Sequence, residues 1–100
     1  MSEFHRLAMT IAFYKQEHDS WPTQVRLGPN QISQILDEYG PDGLQRISDH
    51  MDLRVISDWD ISVGGRSVIH YEDFTAFKDK AGDPKAEVYR WLGFKYPRGN

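Results

Sequence analysis

Four histidines and several aspartates are the residues that could carry metal or acid–base chemistry. No histidine is followed four residues later by another, and the HExxH pattern of zinc hydrolases is absent. Asp58 and Asp60 would share one face of a strand and could bind a hard cation together with Glu72 or Asp73. Aspartates at turns and helix starts are the simpler explanation, because all four lie at predicted element ends. We therefore predict no metal site and no cofactor.

Patterns typical of nucleophilic or nuclease catalysis are absent or misplaced. The serines lack a GxSxG elbow, and the consecutive residues 18–20 (HDS) do not normally reach triad geometry. Residues 64–67 (GGRS) lack the lysine and the glycine spacing of a phosphate-binding loop. Residues 41–42 (PD) and 83–85 (DPK) formally match a nuclease pattern, but they are predicted at a turn and a helix start. The sequence leaves catalysis open and favours a non-enzymatic protein.

Aromatic side chains alternate with cations in residues 89–98, which read YRWLGFKYPR. Such a strip can close a core, form a protein interface, or stack on nucleic-acid bases. The net charge of −3 makes nucleic acid the unlikely partner among the three, because phosphate binding depends on clustered cations. The interface candidates in this strip are Tyr89, Trp91, Phe94 and Tyr96.

The N-terminal helix predicted below offers a second candidate surface. Met9 and Phe13 are four residues apart and lie off its main apolar stripe, with Tyr14 beside them. They form either an exposed apolar ridge or part of a wide buried face. Two aromatic surfaces without a catalytic constellation favour an interaction protein that forms a homodimer or binds a protein partner.

A small-ligand protein or enzyme is the alternative from another functional class. Its polar pocket would lie near the carboxyl ends of parallel strands, where open sheets form crevices. The candidate ligand-binding residues in such a pocket are Arg26, Asp58 and His70.

The composition is that of one globular domain. The chain has 100 residues, of which 39% are hydrophobic, 27% charged and 13% aromatic. It contains no cysteine, which excludes disulfides and thiolate chemistry. No apolar run approaches the ~18 residues of a membrane span, and the N-terminus lacks the pattern of a signal peptide. We predict a cytoplasmic protein with no membrane association.

The first half of the chain predicts a helix, a strand and two further helices. Residues 2–18 have an apolar stripe of helical period, and the helix should end before Trp21-Pro22. Residues 23–27 alternate as a strand that ends at Gly28-Pro29. Asn30 is the expected N-cap of a helix that ends at Gly40, and a short third helix covers residues 44–51.

The second half predicts three strands and two helices. Strands are expected at residues 53–56, 59–63 and 66–71, with Gly64-Gly65 as a hairpin turn and the first of these strands parallel to residues 23–27. Helices should begin at Asp73 and at Asp83-Pro84, and residues 94–100 form a tail. The prediction is a single α+β domain with a small mixed sheet of three to four strands and a terminal hairpin. Helices from the N-terminus, the crossover and the C-terminus cover the sheet.

The run Trp-Pro-Thr-Gln-Val-Arg-Leu at residues 21–27, after an aromatic-rich helix, carries a resemblance to a known group of proteins. It resembles a motif of small uncharacterised bacterial proteins encoded on mobile DNA, including integron gene cassettes. The resemblance covers about the first forty residues. It implies a single-domain accessory protein of bacterial origin and brings no catalytic residues.

Overall fold

The computed structural model describes residues 3–57, 61–67 and 84–94, and these form an α+β fold. The elements in chain order are α1 (Glu3–His18), β1 (Gln24–Leu27), α2 (Pro29–His50), β2 (Asp52–Val55), β3 (Ser62–Val63), β4 (Arg66–Ser67) and α3 (Pro84–Leu92). The predicted fold class is confirmed. The helix predicted from Asp73 lies outside the described residues, as does most of the strand predicted at residues 66–71. The tail predicted at residues 94–100 is described only at Phe94, which packs against the core, so the prediction is wrong for that residue.

Helix α1 ends where the sequence predicts. Asp19, with a φ of 54°, leaves the helical conformation, and its N–H donates to the Lys15 carbonyl at 2.8 Å. Pro22 then excludes the preceding residue from the α region, so the chain continues into β1. The helix is the centre of the core, because its apolar stripe is fully buried along Phe4, Leu7, Ala8 and Ile11.

The four described strands form one mixed sheet in the order β2-β1-β3-β4. β1 and β2 are parallel, as predicted for two strands joined by a helical crossover, and β1 is antiparallel to β3. The β3–β4 hairpin turns through Gly64 and Gly65, with φ values of 54° and 92°. Both turn positions therefore need the left-handed conformation that glycine adopts without strain.

Helix α2 differs from the prediction at its start and continues beyond the predicted end. Pro29 occupies its first turn and Gly28 is the N-cap, so the prediction of Asn30 as N-cap is wrong. Proline fits the first helical position because its missing N–H would have no partner there. Gly40, with φ 75° and ψ −177°, interrupts the helix where the sequence predicts its end, and Pro41 starts a second helical segment directly after the kink.

The sheet has one apolar face and one polar face. Val25 and Leu27 are buried, whereas Arg26 between them is exposed, because successive strand residues point to opposite faces. Helix α1 contacts β3 and β4, α2 contacts β1 and β2, and α3 packs on α1. Within the described part of the chain, no helix has the length and apolar character required to cross a membrane.

Candidate interaction surface

Two of the predicted interface residues belong to the core. Met9 and Tyr89 are each only 2% exposed. For Met9, the structure supports the wide buried face rather than the exposed ridge, because α1 is enclosed by the sheet on one side and by α3 on another. For Tyr89 it supports core closure. Tyr96 lies outside the described residues.

Phe13 and Tyr14 are half-buried, and the β3–β4 hairpin contacts both. The Arg66 guanidinium lies 4.4 Å from the centre of the Phe13 ring and donates to Glu17 Oε1 at 3.1 Å. Tyr14 packs against Gly64 so closely that a side chain at position 64 would overlap its ring. These two aromatic residues attach the hairpin to α1.

Phe94 joins an aromatic cluster between α1, α2 and α3. Its ring centroid is 4.8 Å from that of Phe4 and 4.8 Å from that of Tyr39. Burial raises the pKa of the Tyr39 hydroxyl, while a hydrogen bond with Tyr89 lowers it and the nearby Glu38 charge raises it. The geometry is that of a packed aromatic cluster, since tilted and edge-on rings at this spacing attract each other.

Trp91 stacks on Trp21, and this pair is the most distinctive feature of the surface. The ring centroids are 4.3 Å apart and the ring planes differ by 4°. Lys15 Nζ lies 5.0 Å from the centre of the Trp21 ring, and the His50 ring is 4.9 Å from Trp91 at 63°. Both indoles are half-buried against the core. We call these four residues, Lys15, Trp21, His50 and Trp91, the indole patch.

Each part of the indole patch comes from a different element. Lys15 is in the last turn of α1, Trp21 precedes β1, His50 ends α2, and Trp91 is near the end of α3. A cation over an aromatic face is attracted by the negative potential of the ring. The patch therefore connects the α1–β1 turn to both other described helices, and it also leaves parts of two indoles in contact with solvent.

Neither Lys15 nor His50 pairs with a carboxylate within the described ranges. The ion pairs found there join Arg54 to Asp52 and Arg66 to Glu17. His50 Nδ1 lies 2.8 Å from the Arg46 carbonyl oxygen. Because that oxygen can only accept, Nδ1 carries a proton and Nε2 remains for another partner. The patch thus presents apolar rings beside positive and hydrogen-bonding groups.

The candidate ligand-binding residues are placed only in part. Arg26 is exposed on the polar face of the sheet, and its register partner in β2 is Arg54. Asp58 and His70 lie outside the described residues, as does Asp60. Among the residues that are described, no group of three or more histidine, aspartate or glutamate side chains is arranged to hold a metal ion.

Sequence reasoning identified Trp91 and missed its partners. The sequence indicates Trp21 only as part of a helix stop and of the motif at residues 21–27, and His50 only as one of four histidines; it does not single out Lys15. Stacking between residues so far apart in the chain is a tertiary contact that has no local sequence signal. The only hint of such a contact in the sequence is its content of three tryptophans.

Comparison of the chain with protein-family models, with curated proteins and with solved structures gave no match. The resemblance to mobile-element proteins therefore stays a prediction, and the functional argument depends on the geometry of this chain alone.

Proposed function

We propose that this protein is a non-enzymatic interaction module that binds a partner protein through the indole patch. The observation that carries the proposal is the partly exposed Trp21–Trp91 stack with Lys15 and His50 at its sides. Tryptophan is among the residue types most enriched in the energetic centres of protein interfaces. Its large rigid ring gives much contact area for little conformational entropy, and its N–H still needs a partner.

The charges of the patch favour a partner that is apolar and acidic. Neither Lys15 nor His50 has a carboxylate partner among the described residues, so a partner's aspartate or glutamate would gain a charged contact there. The whole chain carries a net charge of −3, so a locally positive surface would orient an acidic partner toward this site.

The stacking geometry favours a protein over a nucleic acid. A base needs an open aromatic face on which to stack. In this chain the two indoles cover each other at 4.3 Å, and Lys15 lies over the Trp21 ring. What remains for a partner is mainly ring edges and the neighbouring cations. Side chains of a protein can pack against such edges without separating the stack.

The proposal can be tested with a random peptide library displayed on phage and selected on the immobilised full chain. We expect enriched peptides that combine large apolar residues with aspartate or glutamate. The affinity of a selected peptide is then measured by fluorescence anisotropy. Trp91→Ala should weaken it about tenfold or more, as for an interface hot spot. Lys15→Glu should weaken it by reversing a charge, and His50→Glu should weaken it by adding a negative charge beside an acidic peptide.

Arg26→Ala is the matched control, because it removes an exposed cation from the polar face of the sheet and leaves the indole patch intact. Its affinity for the peptide should equal that of the wild type. Circular dichroism melting establishes that each variant is folded. Peptides that bind all four variants equally would refute the assignment of the site. Tight, steeply salt-dependent binding of a single-stranded oligonucleotide at the patch would instead support nucleic-acid recognition.

A further inference from the structure

Strand β2 has a hydrogen-bonded neighbour on one side only within the described part of the sheet. The Asp52 N–H donates to the Thr23 carbonyl at 2.9 Å, and the Ile56 N–H donates to the Leu27 carbonyl at 3.0 Å. Backbone groups of successive strand residues point to alternate sides, so those of Leu53 and Val55 point away from β1. A row of backbone donors and acceptors of this kind is a template for another strand.

The side chains of β2 leave this edge open to a partner strand of matching charge. Val55 is 67% exposed, the most exposed large hydrophobic residue of the described ranges. Natural edge strands commonly carry proline, a bulge or an inward-pointing charge that discourages pairing. β2 has no proline, bulge or inward-pointing charge, and its pairing with β1 is regular over all four residues. Its two exposed charges, Asp52 and Arg54, are of opposite sign, so they discourage pairing only with a strand whose charges do not match.

The charges of β2 are complementary to those of the same strand run in the opposite direction. Asp52 and Arg54 lie on the polar face of the sheet, with side chains 57% and 65% exposed, and form an ion pair at 2.9 Å. If Leu53 lies opposite Leu53 of a second copy in an antiparallel pair, each Asp52 lies opposite an Arg54. Directly opposite residues of unlike charge stabilise an antiparallel pair.

The backbone N–H and C=O groups of Leu53 and Val55, which point away from β1, permit two other antiparallel registers. Placing Leu53 opposite Val55 puts Arg54 directly opposite its own copy, which is a repulsive contact. Placing Val55 opposite Val55 puts Arg54 opposite Ile56, and it puts Asp52 opposite position 58, which is also an aspartate and lies outside the described residues. Only the register with Leu53 opposite Leu53 places both Asp52 and Arg54 opposite a residue of unlike charge. It also brings the Val55 N–H opposite the Met51 carbonyl of the second copy, while the Met51 N–H already donates to the Ile47 carbonyl at 3.0 Å.

From this geometry we infer that the chain forms a twofold-symmetric dimer in which β2 pairs antiparallel with β2 of a second copy, centred on Leu53. The described strands of the two copies then make one continuous sheet. The inference goes beyond the proposed function, because it uses the backbone and side chains of β2 and no residue of the indole patch. The paired segment is short, so we expect a reversible dimer that dissociates on dilution through the micromolar range.

The decisive experiment is a charge swap in the full chain. Asp52→Arg gives a strand with two arginines, and Arg54→Asp gives a strand with two aspartates. Each variant alone should be monomeric at concentrations where the wild type is dimeric, because two opposite-charge pairs become like-charge pairs. The loss of affinity should be about tenfold or more. Mixing the two variants should restore dimerisation as a heterodimer, which native mass spectrometry distinguishes from either homodimer by mass.

Val55→Pro tests the backbone contact separately. Its N–H points away from β1, so proline leaves the sheet intact and removes a donor that only the second copy would use. Val55→Thr is the matched control, because it keeps the N–H and the branched shape. Sedimentation velocity over a concentration series should show a monomer for Val55→Pro and a dimer for Val55→Thr.

Three results would overturn the inference. These are a wild type that remains monomeric throughout the series, charge variants that dimerise as well as the wild type, and mixed variants that fail to associate while both remain folded by circular dichroism. Capture of a different polypeptide by the β2 edge would also refute a second copy as its occupant. Trp91→Ala should leave the dimer unchanged, so failure of this inference and failure of the proposed function are distinguishable.

Discussion

Removal of the stacked tryptophans should show how much the indole patch contributes to the fold. Truncation of a fully buried Trp to Ala costs about 3–5 kcal/mol. Trp21 and Trp91 are packed against the core but partly exposed, so each single substitution should lower the free energy of unfolding by somewhat less, roughly 2–3.5 kcal/mol. A domain of this size is commonly stable by ~5–10 kcal/mol, so both variants should remain folded at room temperature.

The double variant separates stacking from burial. An aromatic pair contributes about 0.5–1.5 kcal/mol beyond the burial of each ring. The rings of Trp21 and Trp91 are parallel within 4° and 4.3 Å apart, so we expect the double variant to lose less than the sum of the single losses by that amount. Trp91→Phe keeps a ring that can stack, and it should recover part of the coupling.

Urea unfolding followed by far-ultraviolet circular dichroism is the suitable assay, because the substitutions themselves change tryptophan fluorescence. The measurements should be made at a concentration where the protein is monomeric. A coupling energy indistinguishable from zero would show that the stack is not a stabilising unit. A loss of ~4 kcal/mol or more from Trp91→Ala alone would identify Trp91 as a core residue and remove the main support for a binding surface.

Two further predictions concern the hairpin and the aromatic cluster. Gly65→Ala should cost about 1 kcal/mol of stability, because Gly65 has φ 92° but open space around it. Gly64→Ala should cost roughly 1–3 kcal/mol more, because the new methyl group would overlap the Tyr14 ring. Equal urea midpoints for the two variants would contradict this difference. The raised pKa of Tyr39 means that Tyr39 ionises first in the unfolded chain as pH rises past ~10, so its contribution to stability should be constant below that pH and fall above it. Tyr39→Phe should flatten the decrease, and an unchanged slope would show that Tyr39 does not cause it.

The elements of this fold were predictable where local signals and tertiary structure agree. The end of α1 before Pro22 follows from backbone sterics, and the hairpin at Gly64 and Gly65 follows from the positive φ that its turn requires. The start of α2 was predicted incorrectly because Asn30 is a favourable cap residue by type, whereas Pro29 is compatible with the first helical position and starts the helix earlier.

The candidate site was less predictable, because the same residue types serve cores and interfaces. Met9 lies off the main stripe of α1, but α1 is buried on more than one side, and a single stripe underestimates the width of its buried face. Trp91 could be assigned to neither the core nor the surface until Trp21 was placed beside it. The exposed edge of β2 depends on strand order, which periodicity alone does not determine.

The two inferred surfaces would act together because they meet where α2 passes into β2. His50 belongs to the indole patch, and Asp52 begins the strand that pairs in the dimer. A twofold axis at Leu53 gives the dimer two indole patches in a fixed relative position. A partner with two matching segments would then bind the second patch as an intramolecular step, which raises the overall affinity without any new contact. A small patch and a short strand edge, each weak alone, would in this way give a tight complex that depends on protein concentration.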